Sequence, residues 1–466
     1  MARPIRCSLP PGPRLPRLVQ TVVLSALPSW FVEACRRHYG DLITFSTLLD
    51  SSFVLVLDPE LVRQVFQAPP KQLRNTAIAT ARVDGERSVL FQDGPAHLRL
   101  RRLLLPPFHG ERMRAYETVM REATDRAIDS WPVGKRFALL PSMRSLTLDV
   151  ISRVVFGLED DFRRNDLKQR LGAMMEPVAP PARPVRVLTR HRAASEVETG
   201  FEQRRRAVDD LIYAEIDARR RVADLAQRED VLSTLLVAED EAGNSLTDEE
   251  IRDQLVTLLT AGHETTATSL SWAFDLLLGH PAALRRLTDE LAAGDDGYLK
   301  AVVMETLRVR PLVPSVSRVV SERSYELGGY RLPVDTQVRP SISGIHFRAD
   351  RYPDPRAFRP ERFLGNAGRD THAWLPFGGG TRRCLGASFA RFEMEVVIRR
   401  VLARTRLAPA GRRRERAVRK RITPRRGITF VPRRGVPVLQ PRPPRPAVRG
   451  APGKADRAAA VPELAG

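Results

Sequence analysis

The segment Phe377-Gly378-Gly379-Gly380-Thr381-Arg382-Arg383-Cys384-Leu385-Gly386 constrains this chain more than any other stretch. Three successive glycines let the backbone turn sharply and approach a bulky partner closely. The cysteine that follows stands just ahead of an amphipathic helical pattern carrying Phe389, Ala390, Met394 and Val397. Backbone N–H groups at the start of that helix, with Arg382 and Arg383 nearby, are expected to favour a thiolate over a thiol. The other two cysteines, Cys7 and Cys35, form no CxxC pair with it or with each other and read as small buried apolar groups. That usage argues against a disulfide framework or a zinc site and fits a reducing compartment.

Three chemistries suit such a cysteine. A thiolate can ligate haem iron and push electron density onto it, which favours O–O cleavage. It can be a catalytic nucleophile, which wants a histidine base and an orienting group, and nothing in the sequence places one there. It can also be an inert packed side chain.

The rest of the chain reads as mainly helical. Leu42 to Leu57 is a hairpin of β-branched and apolar runs about a polar turn. Asp58-Pro59-Glu60 starts a helix with Leu61, Val62, Val65 and Phe66 on one face. Asp149 to Phe156 and Phe201 to Ala226 have helical spacing, whereas four prolines break residues 176–192 into a loop. Thr247 and Glu250 form a capping box that opens a long helix reaching Leu278, closed by Gly279-His280-Pro281. A helix ending at Arg310-Pro311, short strands from Tyr325 to Val338, and a last helix after Cys384 follow.

Inside the long helix lies Ala261-Gly262-His263-Glu264-Thr265-Thr266. Glycine in mid-helix costs about 1 kcal/mol relative to alanine. Successive hydroxyl residues bond back to the preceding turn and bend it. A helix opened in this way would accommodate a diatomic ligand and a water, and an acid beside an alcohol would relay protons; the plain alternative is a packed helix with a few polar residues. His263 has no neighbouring ligand pattern and reads as a surface or core histidine.

Among 466 residues, 42% are hydrophobic and the formal net charge is +21. From Gly411 onward there are sixteen basic and three acidic residues, yet no nucleic-acid recognition motif accompanies them. The Pro-, Arg- and Ala-rich end from about Gln440 reads as a solvated, disordered tail. No internal repeat appears. No uninterrupted apolar run is long enough to cross a bilayer. Leu18 to Leu27 follows several arginines, but prolines at 10, 11, 13 and 16 precede it and Pro28 ends it, so loose contact with a membrane surface fits better than a cleaved signal.

The pattern Phe-x-x-Gly-x-Arg-x-Cys-x-Gly, met at Phe377, Gly380, Arg382, Cys384 and Gly386 and continued by Ala390 and Glu393, resembles the haem-binding signature of the cytochromes P-450. The resemblance runs in order from about Leu9 to Val438. It implies a haem b (iron protoporphyrin IX) whose iron takes Cys384 as its axial ligand. The hexapeptide resembles the oxygen-activation motif, with Ala261 and Gly262 forming an oxygen groove and Glu264 with Thr265 an acid–alcohol pair that delivers protons. Glu305-Thr306-Leu307-Arg308 and Phe358-Arg359-Pro360-Glu361-Arg362-Phe363 are similar to two further elements, which imply a structural network of Glu305, Arg308 and Arg362. His97 and Arg101, four residues apart on one helix face, and Arg318 and Arg382 match positions that bind the haem propionates.

The implied fold is mainly α with small β-sheets, a triangular prism holding haem between a long distal helix and a proximal cysteine loop. Residues 1–439 would form one haem domain, with 1–17 a lead-in, and 440–466 the tail. No amino-terminal anchor and no fused flavin reductase are recognised, so a soluble, cytoplasmic bacterial type is expected. It would take electrons from a ferredoxin and its NAD(P)H-dependent reductase, with at most peripheral membrane contact and no specific nucleic acid. The substrates would be O2 and a lipophilic small molecule, which would be hydroxylated or epoxidised. Access loops are expected near Asn75 to Phe91 and Glu176 to Arg192, and a pocket lined by Val313 to Val316, Thr257 and Ala261. The alternatives are a rearrangement enzyme of the same type, against which the Glu264–Thr265 pair argues, and a haem-based gas or redox sensor, which would need no proton relay.

Overall fold

Thr247 opens a helix that runs through the middle of the molecule. In this computed structural model its hydroxyl accepts from Glu250 N (3.2 Å), and the Glu250 carboxylate accepts from Thr247 N (3.0 Å), closing the capping box. The helix Asp248–Leu278 is buried along most of its 31 residues, as a helix that is apolar nearly all round must be. It lies against Leu139–Phe156, and Gly262 marks a tight point of that crossing, since a Cβ there would stand 3.3 Å from the Ile151 side chain. The Thr147 hydroxyl donates to the His263 carbonyl (2.9 Å) across the same seam.

The structure describes residues 9–441, apart from 27, 49, 76–80, 111, 158–159, 176–189, 366–372, 412–416 and 422–427. The expected loop at 176–192 therefore lies almost wholly outside the described residues, as do Cys7 and the tail beyond 441.

The hairpin forms as expected. Leu42–Thr47 pairs antiparallel with Ser51–Val56, with Phe45 opposite Phe53. Gln337–Pro340 adds in parallel, and Arg318–Val320 and then Leu73–Asn75 add antiparallel, completing a five-stranded sheet. Its last register sets Asn75 opposite Arg318. A three-stranded sheet places Pro437–Leu439 between Arg136–Ala138 and Ala408–Pro409, joining strands about 300 positions apart in sequence. Two two-stranded sheets, Ser324–Leu327 with Tyr330–Pro333 and Ala417–Arg421 with Ile428–Pro432, complete the β structure among the described residues. Mainly helical with small sheets is the outcome.

Three helix boundaries differ from the sequence reading. The pattern that suggested helix from Phe201 to Ala226 is Arg190–Arg220. It ends early because Arg219 is drawn inward to Asp230 (2.6 Å), Ser233 (2.7 Å) and the Phe156 carbonyl (2.5 Å), which turns the chain back. Asp149 to Phe156 is the end of a longer helix that starts at Leu139. Pro28 does not end helical structure but begins the helix Pro28–Tyr39 directly after Arg17–Ala26, where its missing N–H costs nothing.

Candidate functional site

The cysteine loop is tied to three separate parts of the fold. Gly380 sits at φ +66°, and a Cβ there would fall 1.9 Å from the Phe66 carbonyl at the end of the helix Pro59–Gln67. Cys384 N donates to the Phe377 carbonyl (3.0 Å), and Phe377 packs edge-on to Trp374. Leu375 N donates to His346 Nε2 (2.9 Å). From the helix Gly94–Leu104, Arg101 donates to the Arg383 carbonyl (2.7 Å), while Arg382 reaches back to Asp93 and the Gln92 carbonyl. Cys384 is exposed to solvent, although protein atoms crowd round it from below. Gly386, with no such crowding, is the N-cap of the helix Ala387–Arg404.

The electrostatics of the thiol correct the sequence expectation. Burial pushes the Cys384 thiol up, and the Gly386 N–H with the charges of Arg383 and Arg101 only partly offsets it. A cation bound at the sulfur would draw it toward the thiolate.

His97, Arg101, Arg318 and Arg382 come together beside the loop. Burial first, and then the charges of Arg382, Arg101 and Arg318, hold the His97 pKa down to about 4. Burial, reinforced by Arg382, brings Arg318 down to about 10. Arg318 donates to the Ser317 carbonyl (2.9 Å) and Asn75 Oδ1 (3.4 Å), both neutral. Among the described residues, Asp93 is the one carboxylate paired with any of these three arginines. Three guanidinium groups against one carboxylate, in a partly buried setting, make a site for a ligand with more than one negative charge.

On the distal side Ala261 is exposed and Thr265 half-exposed, although the helix around them is buried. The Thr265 hydroxyl donates back to the Ala261 carbonyl (2.7 Å), and Thr266 does the same to Gly262 (2.9 Å). Glu264 does not accompany Thr265. It is buried on another face of the helix and held by an ion pair with Arg144 of the neighbouring helix. Gly262 is used for helix packing, as the Ile151 approach shows.

The Glu305–Arg308 pair, ordinary at sequence level, has no solvent exposure at all. Arg308 donates twice to the Glu305 carboxylate (2.7 and 2.8 Å) and to the carbonyls of His346 (2.8 Å), Pro355 (2.7 Å) and Ala357 (3.2 Å). Glu305 also accepts from Arg359 N (2.9 Å) and lies 3.4 Å from Arg362.

The sequence matches the cytochrome P450 family model over residues 9–429. It is 41% identical over 439 residues to the putative cytochrome P450 135B1 of Mycobacterium bovis, covering 92% of this chain and 90% of the relative. The chain belongs to the cytochrome P450 family. The putative cytochrome P450 137 of Mycobacterium tuberculosis is 40% identical over 404 residues, covering 86% of this chain and 83% of that one. Among solved structures, the haem domain of cytochrome P450DA superposes with a TM-score of 0.78 at 22% identity, over 95% of this chain and 99% of the other. A retinoic-acid-bound cyanobacterial CYP120A1 gives 0.76 at 24% identity, over 94% and 99%. The family consists of haem-thiolate monooxygenases, and this chain is a P450 monooxygenase by that membership.

Two groups of residues in this P450 escaped the sequence reading. His346 is fully buried and held neutral, its pKa brought down to about 3 by burial and then by the Arg308 charge. Its carbonyl accepts from Arg308 while its ring accepts from Leu375 N, so it joins the buried ion pair to the cysteine loop. The second group pins part of the expected access loop. Asp84 accepts from Thr260 (2.8 Å), Ser88 and Thr257 share a hydroxyl bond (2.7 Å), and Arg87 N donates to Asp253 (2.9 Å). Gln254 accepts from Val89 N (2.8 Å) and donates to the Arg87 carbonyl (2.9 Å). Residues 84–89 are thus strapped along the P450's long helix rather than loose, and Thr257 is turned to the strap. Of the other expected lining residues, Val313 is exposed, whereas Pro314 and Ser315 line a different cavity.

Proposed function

We propose that Cys384 holds the iron of haem b and that His97, Arg101, Arg318 and Arg382 receive its two propionates. The observation that carries this is the gathering of three arginines and a neutral histidine, with a single paired carboxylate among them, next to an exposed cysteine whose loop is held by several elements. When bound, haem supplies the oxygen-activating redox chemistry that a thiolate ligand favours. Arg101 then acts twice, at a propionate and through the Arg383 carbonyl on the cysteine loop. Phe377, Gly380 and Gly386 shape that loop, and Glu305, Arg308 and Arg362 keep it in place without touching the reacting atoms.

Glu264 and Thr265 supply the protons that the reaction consumes, and Ala261 with Gly262 leaves room for oxygen. In the resting arrangement Arg144 holds Glu264 and the Ala261 carbonyl holds Thr265, so proton delivery requires the Glu264 carboxyl to exchange Arg144 for solvent. The substrate is a lipophilic small molecule, supported by the exposed apolar surface at Ala261 and Val313. Electrons come from a ferredoxin and its NAD(P)H-dependent reductase; exposed Arg383 beside the cysteine suits an acidic partner. Residues 1–439 act as one haem domain working in the cytoplasm.

The test is the absorption spectrum of the reduced, carbon-monoxide-bound protein beside Cys384→Ala. A strongly red-shifted Soret band in the parent alone is expected. Haem without that band, or no haem in folded, haem-supplied protein, overturns the assignment.

A further inference from the structure

The helix Arg17–Ala26 is inverted in polarity. Its polar Gln20 is buried, donating to the Pro13 (3.1 Å) and Leu15 (2.8 Å) carbonyls and accepting from Ser46 N (2.9 Å). Its apolar Leu18 (60% exposed) and Val22 (56%) point outward, with Leu15 and Val19 beside them at three- and four-residue spacing. The helix is not frayed, because Thr21 also accepts from Leu48 N (3.0 Å), which sets exposed Leu48 alongside. Trp30, 65% exposed, extends the face onto the next helix. Of the eleven large hydrophobic side chains exposed among the described residues, seven fall between Leu9 and Leu48. Packing among the described residues therefore does not explain them, and their concentration is unlike scattered surface leucines.

The unpaired charge at the start of this face is basic, since Asp50 beside Leu48 is paired with Arg339 (2.9 Å). No carboxylate occurs before Glu33, whereas Arg14 and Arg17 are exposed and have no ion pair among the described residues. Glu33 itself is taken by Arg36 (2.9 Å) and Arg37 (3.0 Å). A cavity of about 860 Å³ opens beside the same face; Leu24, Trp30, Val32 and Phe53 line it together with charged side chains, among them Arg36 and Arg339. No helix among the described residues is long and apolar enough to cross a membrane.

We propose that the face formed by Arg17–Ala26, Trp30 and Leu48 docks on an anionic lipid bilayer. The apolar side chains enter the acyl boundary, Arg14 and Arg17 meet the headgroups, and Trp30 sits at the interface. This inference is independent of the haem assignment and concerns where the enzyme meets its lipophilic surroundings.

The test uses the full-length, haem-loaded protein and vesicles of phosphatidylcholine with or without phosphatidylglycerol. Sedimentation with the anionic vesicles alone is expected, with a blue shift of tryptophan emission; Trp131, Trp272 and Trp374 are buried, so the shift reports Trp30. Leu18→Ser/Val22→Ser/Trp30→Ser changes no charge and should weaken binding roughly a hundred-fold. Arg14→Ala and Arg17→Ala should each weaken it roughly five-fold. All the altered side chains are exposed, and an unchanged circular dichroism spectrum verifies the fold of each variant. Absence of binding overturns the proposal. So does binding that the triple variant leaves intact, which assigns it to charge elsewhere, such as the basic end of the chain. A parent dimer that the triple variant dissociates, without vesicle binding, assigns the face to a second copy.

Discussion

Replacing Arg308 by methionine removes the side chain on which most of the buried polar network converges. Glu305 would be left with no solvent exposure, one backbone donor from Arg359 and a distant Arg362. Stranding one member of a buried ion pair costs about 3–5 kcal/mol. The carbonyls of His346, Pro355 and Ala357 lose their donor as well, at about 1 kcal/mol each. These losses overlap, so about 5 kcal/mol is the working figure, a large part of the 5–15 kcal/mol that stabilises a typical protein. With a urea slope of about 3 kcal/mol per molar, the unfolding midpoint should fall by about 1–2 M. The assay is equilibrium urea unfolding at 25 °C, followed in parallel by tryptophan emission and by the Soret band. A double variant, Arg308→Met/Glu305→Leu, sharpens it: removing the stranded carboxylate should recover about 2 kcal/mol. A single variant within 1 kcal/mol of the parent, or a double variant less stable than the single, would refute the account of this network.

Three further outcomes are expected. Gly380→Ala drives a methyl group into the Phe66 carbonyl at a left-handed backbone position, so it should destabilise the cysteine loop by over about 2 kcal/mol and lower the haem content of purified protein, read as the Soret-to-protein absorbance ratio. Thr265→Ala should cut product formation by roughly 100-fold with a suitable substrate while reductant consumption continues, the lost product appearing as hydrogen peroxide; unchanged coupling would remove Thr265 from proton delivery. Stability should fall on acidification: His346 stays neutral in the fold down to about pH 3, whereas the unfolded chain takes up its proton near pH 6.5. That contribution is complete above pH 6.5 and is lost as pH falls toward 3. His346→Gln keeps an acceptor for Leu375 N and should flatten this part of the pH profile in urea unfolding.

What the sequence conveyed was whatever depends on near neighbours. The capping box at Thr247 and Glu250, the hairpin at Leu42 to Val56 and the glycine loop at 378–380 are local rules, and each appears in the structure where it was read. The Glu305–Arg308 spacing was equally visible, but its total burial was not, because burial depends on Tyr352, Pro355 and Ala357 closing over it. The Arg144–Glu264 pair joins residues 120 positions apart, and Asp84–Thr260 spans 176; no periodicity carries such partners. The thiol of Cys384 shows the same limit in electrostatic form. Nearby arginines were legible and argued for a thiolate, while the burial that outweighs them is a property of the assembled fold.

The strap along the long helix has a consequence for how that stretch of chain can move. Its partners on the helix, Asp253, Gln254, Thr257 and Thr260, recur at the spacing of one helix face. Hydrogen bonds are directional, so the strap cannot creep along the helix; it is held at one register or released. Residues 84–89 are thereby registered on the helix by a row of hydroxyl, amide and carboxylate groups instead of by the bulk of apolar side chains. Exchanging one hydroxyl for a methyl, as in Thr257→Val, removes a rung and takes from Ser88 its hydroxyl partner. Such a strap is loosened rung by rung while the frame that grips the cysteine loop stays as it is.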